Sequence, residues 1–279
     1  MAGANAGQIA YWNGPIGAVW AREQKKRDRE HAAITRAGLE FAAPHMGESA
    51  LDVGCGSGTT TMLLAERVGP KGSATGIDIS KPMLDVAAER VKEAGSRATF
   101  IEADATDHKF APRSFDLVFS QFGVMFFEDP VATFANLHRA LKPGARVAFI
   151  CWRHPFENPW AHVPESAAKP FLPPPAPTDP NAPGRYSFAN PDRVKSVLLQ
   201  AGFHAPEFEK FDASVFAGRT PQEAAASAID SGPLMRTLAE ADEETRTKVR
   251  AAVEDRLAKE MGPEGIFLTQ AVWLVRARA

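Results

Sequence analysis

Three points in the first half of the chain have residue types and spacing suited to holding a nucleoside. The first is Leu51-Asp-Val-Gly-Cys-Gly-Ser-Gly58, an apolar run that passes into a Gly-x-Gly-x-Gly turn. Gly54 and Gly56 allow a close approach that a Cβ would block, and Gly58 lets a following helix pack on its strand. The second is Asp78, in Gly76-Ile-Asp-Ile79, twenty residues past Gly58. A carboxylate there can accept hydrogen bonds from both hydroxyls of a ribose. The third is Asp104, in Glu102-Ala-Asp-Ala105, where a carboxylate can face the exocyclic amine of adenine. The plainer alternative for Asp104 is a helix N-cap. A dinucleotide fingerprint needs a glycine three residues beyond its second one, to seat a pyrophosphate on the helix N-terminus. That position is Thr59, which disfavours a nicotinamide oxidoreductase.

Such a loop belongs at the carboxyl end of a strand, where parallel sheets bind ligands. From about residue 48 to 152, short apolar runs alternate with helical periodicity. Ser49–Val53, Ser73–Ile79, Ala98–Ile101, Phe115–Ser120 and Ala145–Trp152 read as strands. Helices read at Thr59–Val68, at Lys81–Ala94 behind a Ser80 cap, and near Pro130–Leu141, stopped by Lys142-Pro143-Gly144. Strands alternating with helices give parallel βαβ units. Residues 9 to 45 carry Tyr11, Trp12 and Trp20 ahead of a charged stretch and read as a helical cover. Residues 155 to 191 hold eleven of the 22 prolines. That density argues against a regular helix or central strand and, with interleaved aromatics, reads as a lid. Asp192–Ala201 and Pro221–Met261 read as helical, Glu207–Phe216 and Ile266–Arg276 as strands. The expected organisation is a helical N-terminal cover over 1–45 and one domain over 46–279, with 155–191 as a lid insertion.

Taken in order, Leu-Asp-Val-Gly-Cys-Gly-Ser-Gly, Gly-Ile-Asp-Ile-Ser, Ala-Asp-Ala, Phe115-Asp-Leu-Val-Phe-Ser120 and Leu141-Lys-Pro-Gly144 resemble class I S-adenosylmethionine-dependent methyltransferases. Within these the chain is most similar to the ubiquinone/menaquinone-biosynthesis-type group acting on small molecules. The resemblance covers about residues 10 to 152 and is specific for the cofactor rather than the substrate. It implies an α/β fold with a Rossmann-like doubly wound seven-stranded sheet of order 3-2-1-4-5-7-6. Strand 7, here Ile266–Arg276, would be antiparallel. It also implies S-adenosyl-L-methionine as methyl donor and S-adenosyl-L-homocysteine as product. Asp52, Gly54, Cys55, Gly56 and Gly58 would lie against the amino-acid part of the cofactor. Asp78, Ile79 and Met83 would meet ribose and adenine, Asp104 and Ala105 the adenine edge, and Gln121 the methionine moiety near the reacting methyl. An aromatic pair ahead of the first helix makes Tyr11 and Trp12 candidates, although core packing would explain Trp12 equally well.

Transfer from a sulfonium is an in-line displacement that a protein serves mainly by alignment, worth on the order of 7–11 kcal/mol. Aromatic faces near the cation add to this. A base is needed only for a nucleophile that keeps its proton at neutral pH. The catalytic candidate is His154, just after the fifth strand, set against its plainer reading as a loop histidine; His31 stands behind it. Arg153 reads either as a partner for a substrate carboxylate or as a loop cation in solvent. Ser-Gln-Phe-Gly after the fourth strand departs from Asn/Asp-Pro-Pro-Tyr/Phe, which disfavours methylation of DNA bases or glutamine amides. No metal-ligand cluster accompanies the motifs. The net charge of −2, and the interleaving of Glu23 and Asp28 with the basic residues of 22–29, give no reason to expect nucleic acid. Cys55 and Cys151 form no disulfide framework, no apolar run spans a membrane, and no signal pattern opens the chain. The expectation is a cytoplasmic enzyme, monomer or homodimer, that methylates a small hydrophobic or aromatic acceptor on carbon, oxygen or nitrogen. The alternative is a non-catalytic S-adenosylmethionine-binding regulatory or scaffold protein, which would bind the cofactor yet turn over no acceptor.

Overall fold

A computed structural model of the chain describes residues 5–174, 179 and 181–279. Residues 1–4 of the expected cover, and 175–178 and 180 of the expected lid, lie outside the described residues. Short runs of four to seven residues, too short for stable helices, form the first strands, and in the central ones, 49–53 and 115–121, burial is nearly continuous because helices cover them. The elements are α1 (Ala6–Asn13), α2 (Pro15–Arg22), α3 (Gln24–Ala42), β1 (Ser49–Val53), α4 (Thr59–Val68), β2 (Ser73–Asp78), α5 (Lys81–Ala94), β3 (Thr99–Glu102), β4 (Phe115–Gln121), α6 (Pro130–Ala140) and β5 (Leu141–Trp152). They continue with α7 (Pro159–Ala168), α8 (Pro191–Gln200), β6 (His204–Gly218), α9 (Pro221–Asp230), α10 (Glu243–Ala258), β7 (Met261–Gly262) and β8 (Gly265–Arg278).

The sheet runs β3-β2-β1-β4-β5-β8-β6. β1 to β5 pair in parallel, and β8 lies antiparallel to β5, with Phe149 opposite Val275. This is the expected order, with β8 in the place of strand 7 and β6 in that of strand 6. The number of strands needs correction: among the described residues there are eight, not seven. β7 is a two-residue arm that folds back on the start of β8, pairing Gly262 with Gly265 across a Pro263-Glu264 turn. β5 also begins earlier than expected, at Leu141, because α6 ends at Ala140 and the buried Leu141 already pairs with Phe115. The sheet is covered on both sides. Phe149 of β5 meets Phe134 of α6, their ring centroids 5.5 Å apart. Its neighbour Ile150 fills the space at Gly38 of α3, where an added Cβ would stand 2.2 Å from Ile150 Cδ1.

By internal contacts the chain divides into two units, residues 1–152, 180–211 and 272–279 forming the first and 153–179 and 212–271 the second. The helices of the expected cover belong with the first. The second has its own apolar core, including Val163, Ile229, Leu238 and Val253. It holds α7, which corrects the reading of the proline-rich segment as unable to form a regular helix. Pro159 stands at the first helical position, where no N–H is required. Pro164, inside the helix, removes one donor at a cost of about 3 kcal/mol. Burial of Val163, Pro164 and Ala168 offsets that loss. The expected helical run over 221–261 is likewise two helices, α9 and α10, separated by turns.

In the first unit a buried arginine ties the end of α3 to the sheet. Arg146 of β5 donates to the carbonyls of Ala42 (2.7 Å) and Ala43 (2.6 Å) and grips both carboxylate oxygens of Glu48 at 2.8 Å. Removing one partner of a buried pair strands the other charge. Glu48→Ala is therefore expected to lower the unfolding free energy by about 3 kcal/mol, read from urea denaturation.

Candidate functional site

The strand order reverses between β1 and β4, and the loops leaving these two strands meet there. Gly54 (φ +69°) follows β1, and an added Cβ would stand 2.7 Å from Cα of Gly123, which opens the 3₁₀ turn Gly123–Phe126 after β4. A Cβ on Gly123 would in turn meet the Val53 carbonyl at 2.7 Å. Neither loop tolerates a side chain at the crossing. Gly123 is missed by sequence reasoning, because the signal is the pair and only Gly54 lies in a recognisable loop.

A cavity opens beside this crossing, and every lining residue belongs to the first unit. Its walls include Gly54, Gly56, Asp78, Ile79, Met83, Asp104, Ala105, Gln121 and Trp12. Nine of the expected contact residues thus come together around one space. Asp78 ends β2, where Oδ2 accepts the Gly56 N–H at 2.7 Å and Oδ1 the Ser80 N–H at 2.8 Å. Burial pushes its carboxyl up from the ordinary value, against the pull of these N–H donors. A carboxylate offers about four lone-pair sites, so these N–H donors leave acceptor capacity for a ligand hydroxyl. Asp104 accepts the Thr106 N–H at 2.8 Å through Oδ1, a turn-capping geometry, and Oδ2 accepts from Asn5 Nδ2 at 2.6 Å. Asp104 therefore caps a turn over residues 105–107 rather than the helix of the plainer reading, and it also stands on the cavity wall. Buried Oε1 atoms of Gln121 and Gln8 accept no hydrogen bond from the described residues.

The N-terminal helices are fastened over this cavity by two asparagines that no motif announces. Asn13 donates to the Ile79 carbonyl at 2.7 Å and accepts from the Lys81 N–H at 2.9 Å. Asn5 reaches Asp104 and Thr106. Between them Trp12 packs edge-on against Tyr11, Trp20 and Phe126, with centroids 5.1, 5.7 and 5.1 Å away, while its carbonyl accepts from Ser80 Oγ. Trp12 thus serves as packing and as cavity wall together, and Trp20, Phe126 and Phe127 extend that wall.

Other expected contact residues lie off the wall. Asp52 is fully buried behind it, with Oδ2 accepting from the hydroxyls of Thr60 and Thr61 at 2.6 Å each. Burial raises its carboxyl to about 6 against those hydrogen bonds, and the nearby Asp78 adds to the rise. Burial also pushes the Cys55 thiol up. Gly58 packs on Phe100 and Ala87. Tyr11 is not among the residues of the wall and packs edge-on against Trp12. His154 lies in the second unit, exposed, its Nδ1 capping the Phe156 N–H at 3.4 Å. Arg153, also in the second unit, pairs with Glu157 and Asp212.

His31 is buried edge-on to Phe122 and Trp152, which stack on each other 4.3 Å apart. Burial, with the Arg27 charge adding, holds its imidazole down to about 3. A base that weak takes no proton from an acceptor near neutral pH. The unfolded chain binds this proton near the ordinary 6.5, so stability is full above that value and falls as pH drops toward 3. At pH 4.5 the loss is on the order of 2–3 kcal/mol. His31→Phe is expected to flatten the fall in melting temperature between pH 7 and 4.5; an unchanged pH slope would contradict this.

The geometry fits an adenosyl sulfonium. The loop crossing leaves backbone where a ligand can lie close, two carboxylates stand at the ends of β2 and β3, and buried carboxylates with aromatic walls suit a cation. The buried Asp78, with Asp52 behind it and Asp104 on the same cavity wall, is unsuited to a pyrophosphate.

Residues 50–144 match the family described as "Methyltransferase domain". A demethylmenaquinone methyltransferase of Listeria welshimeri is 36% identical over 134 residues, 48% of this chain and 57% of that protein. The chain thus spans little more than half the length of that relative. An aklanonic acid methyltransferase of Streptomyces sp. (strain C5) is 33% identical over 159 residues, 53% of this chain and 68% of the relative. Among solved structures, the YcgJ protein from Bacillus subtilis superposes with a TM-score of 0.58 at 16% identity, covering 89% of this chain and 98% of that one. A Haemonchus contortus phosphoethanolamine N-methyltransferase 2, solved with S-adenosyl-L-methionine, gives 0.53 at 22%, covering 88% and 52%.

Proposed function

The chain belongs to the class I methyltransferase family, and from that premise we propose that it binds S-adenosylmethionine and methylates a small apolar or aromatic acceptor. The observation that carries this reading is the convergence of Asp78, Asp104 and the Gly54 loop on one cavity walled by aromatic rings. When bound, the cofactor supplies an electrophilic methyl on a sulfonium whose positive charge is lost on transfer. In this reading Asp78 holds the ribose hydroxyls and Asp104 the adenine amine. Gln121, with its unsatisfied carbonyl oxygen at the end of β4, faces the methionine part. Asp52, Gly56, Ile79, Met83 and Ala105 complete the pocket or support it from behind. Trp12, Trp20 and Phe126 exclude water and present π-faces to a cation. These groups act by binding and alignment, so the loss of any one is expected in affinity as much as in rate.

The names of the two relatives, which act on demethylmenaquinone and aklanonic acid, support a small organic acceptor. We carry His154 as the candidate base from its place after β5, and 155–191 as the candidate lid. The cytoplasmic address, the lack of a nucleic-acid partner and a monomeric or homodimeric state are part of the same proposal. Among the described residues no helix is long and apolar enough to cross a membrane.

Mass spectrometry of the small molecules that co-purify with the protein is expected to find S-adenosylmethionine or S-adenosylhomocysteine. Asp78→Ala deletes a hydrogen-bonded charge worth about 1.5–3 kcal/mol. It should weaken calorimetric S-adenosylmethionine binding by about ten- to a hundredfold; unchanged affinity would remove the ribose assignment.

A further inference from the structure

A side-chain cluster behind the cavity reaches the glycine loop from outside and belongs to none of the contacts assigned above. Arg90, on α5, donates through one terminal nitrogen to the Ser57 carbonyl at 2.7 Å and to Thr59 Oγ1 at 2.8 Å. Its other terminal nitrogen pairs with Asp28 Oδ2 at 2.9 Å. Thr59 in turn donates its hydroxyl proton to Asp28 Oδ1 at 2.7 Å, which closes a ring of hydrogen bonds. Gln24, one turn before Asp28 on α3, donates to Oδ2 as well. Within the charged run of α3, Asp28 is thus turned toward the glycine loop.

Ser57 lies between Gly56 and Gly58, both at positive φ (52° and 82°). Glycines at such positions give the backbone its reach but hold no conformation by themselves, and fixing them costs entropy. The inner side of the loop is tied by the Gly56 N–H to Asp78, and the outer side by Arg90 on the Ser57 carbonyl. The planar guanidinium meets a carbonyl, a hydroxyl and a carboxylate at once, which an ammonium cannot do. Thr59 occupies the position where a dinucleotide fingerprint has glycine, and its hydroxyl is a member of the ring.

We propose that Arg90, with Asp28 and Thr59, is a positioning residue that braces the glycine loop in its cofactor-binding form and ties it to α3. The proposal rests on the cofactor reading above. Calorimetry with S-adenosylmethionine and S-adenosylhomocysteine tests it on wild type, Arg90→Gln, Thr59→Val, Asp28→Asn and the Arg90→Gln/Asp28→Asn double variant. Loss of a charge-assisted brace is expected to weaken both ligands about tenfold in Arg90→Gln. The double variant should be no weaker than Arg90→Gln, because the two residues act as one unit. Ligand-free melting temperatures should stay near wild type, with faster amide exchange confined to residues 56–59. Wild-type affinity in Arg90→Gln and Thr59→Val would overturn the proposal. So would a lowered melting temperature with faster exchange throughout the first unit, which marks a merely structural pair. If wild type binds neither ligand, the cofactor reading fails. Exchange then decides the brace alone: acceleration at 56–59 in Arg90→Gln supports it, and no change there overturns it.

Discussion

Gly54 and Gly123 meet backbone to backbone where no methyl group fits, and this crossing sets the position of everything around it. It exists because β1 and β4 are neighbours at the point where the sheet reverses direction, so the loops leaving both strands emerge side by side. With the two loops pressed together, the backbone after β1 faces outward toward the ends of β2 and β3. Asp78 and Asp104 stand at those ends. A Cβ at either glycine would separate the loops and pull the Gly56 N–H away from Asp78.

The second governing element is charge. Asp52 and Asp78 bring two acidic groups together in the interior, where burial raises both carboxyls, and the half-buried Asp104 stands on the cavity wall. Natural folds seldom bury carboxylates without partners. Here backbone N–H groups and threonine hydroxyls satisfy part of their capacity and leave the rest for a ligand. A cationic nucleoside with hydroxyl and amine donors completes such a site, whereas a polyanion would be repelled. Trp12 and Trp20 line the same cavity, and aromatic faces of this kind attract a positive centre.

Much of this was legible in the sequence where the signal is local. The alternation of short apolar runs with helices announced β1 to β5, because parallel strands buried on both faces must be apolar throughout. Glycine spacing and the aspartates at strand ends announced the loop, its partner Asp78 and the second wall carboxylate Asp104, each within a few residues of its own strand. What was hidden is long-range. Asn5 and Asn13 gain their importance only from what they meet 99 and 66 residues away. Gly123 matters only through Gly54. Asp28 and Arg90 look like ordinary surface charges until α3 and α5 bring them together. The proline-rich segment misled because proline density is a local penalty, and burial of Val163 and Ala168 in the second unit outweighs it in α7.

The central claim is that the crossing of the β1 and β4 loops builds an adenosine site out of Asp78 and Asp104. A crystal structure of the protein with S-adenosylhomocysteine tests it most directly. The account predicts both ribose hydroxyls within hydrogen-bond distance of Asp78, the adenine amine on Asp104, and the glycine loop against the amino-acid end. A ligand bound elsewhere, or bound in this cavity with its ribose away from Asp78, would contradict it.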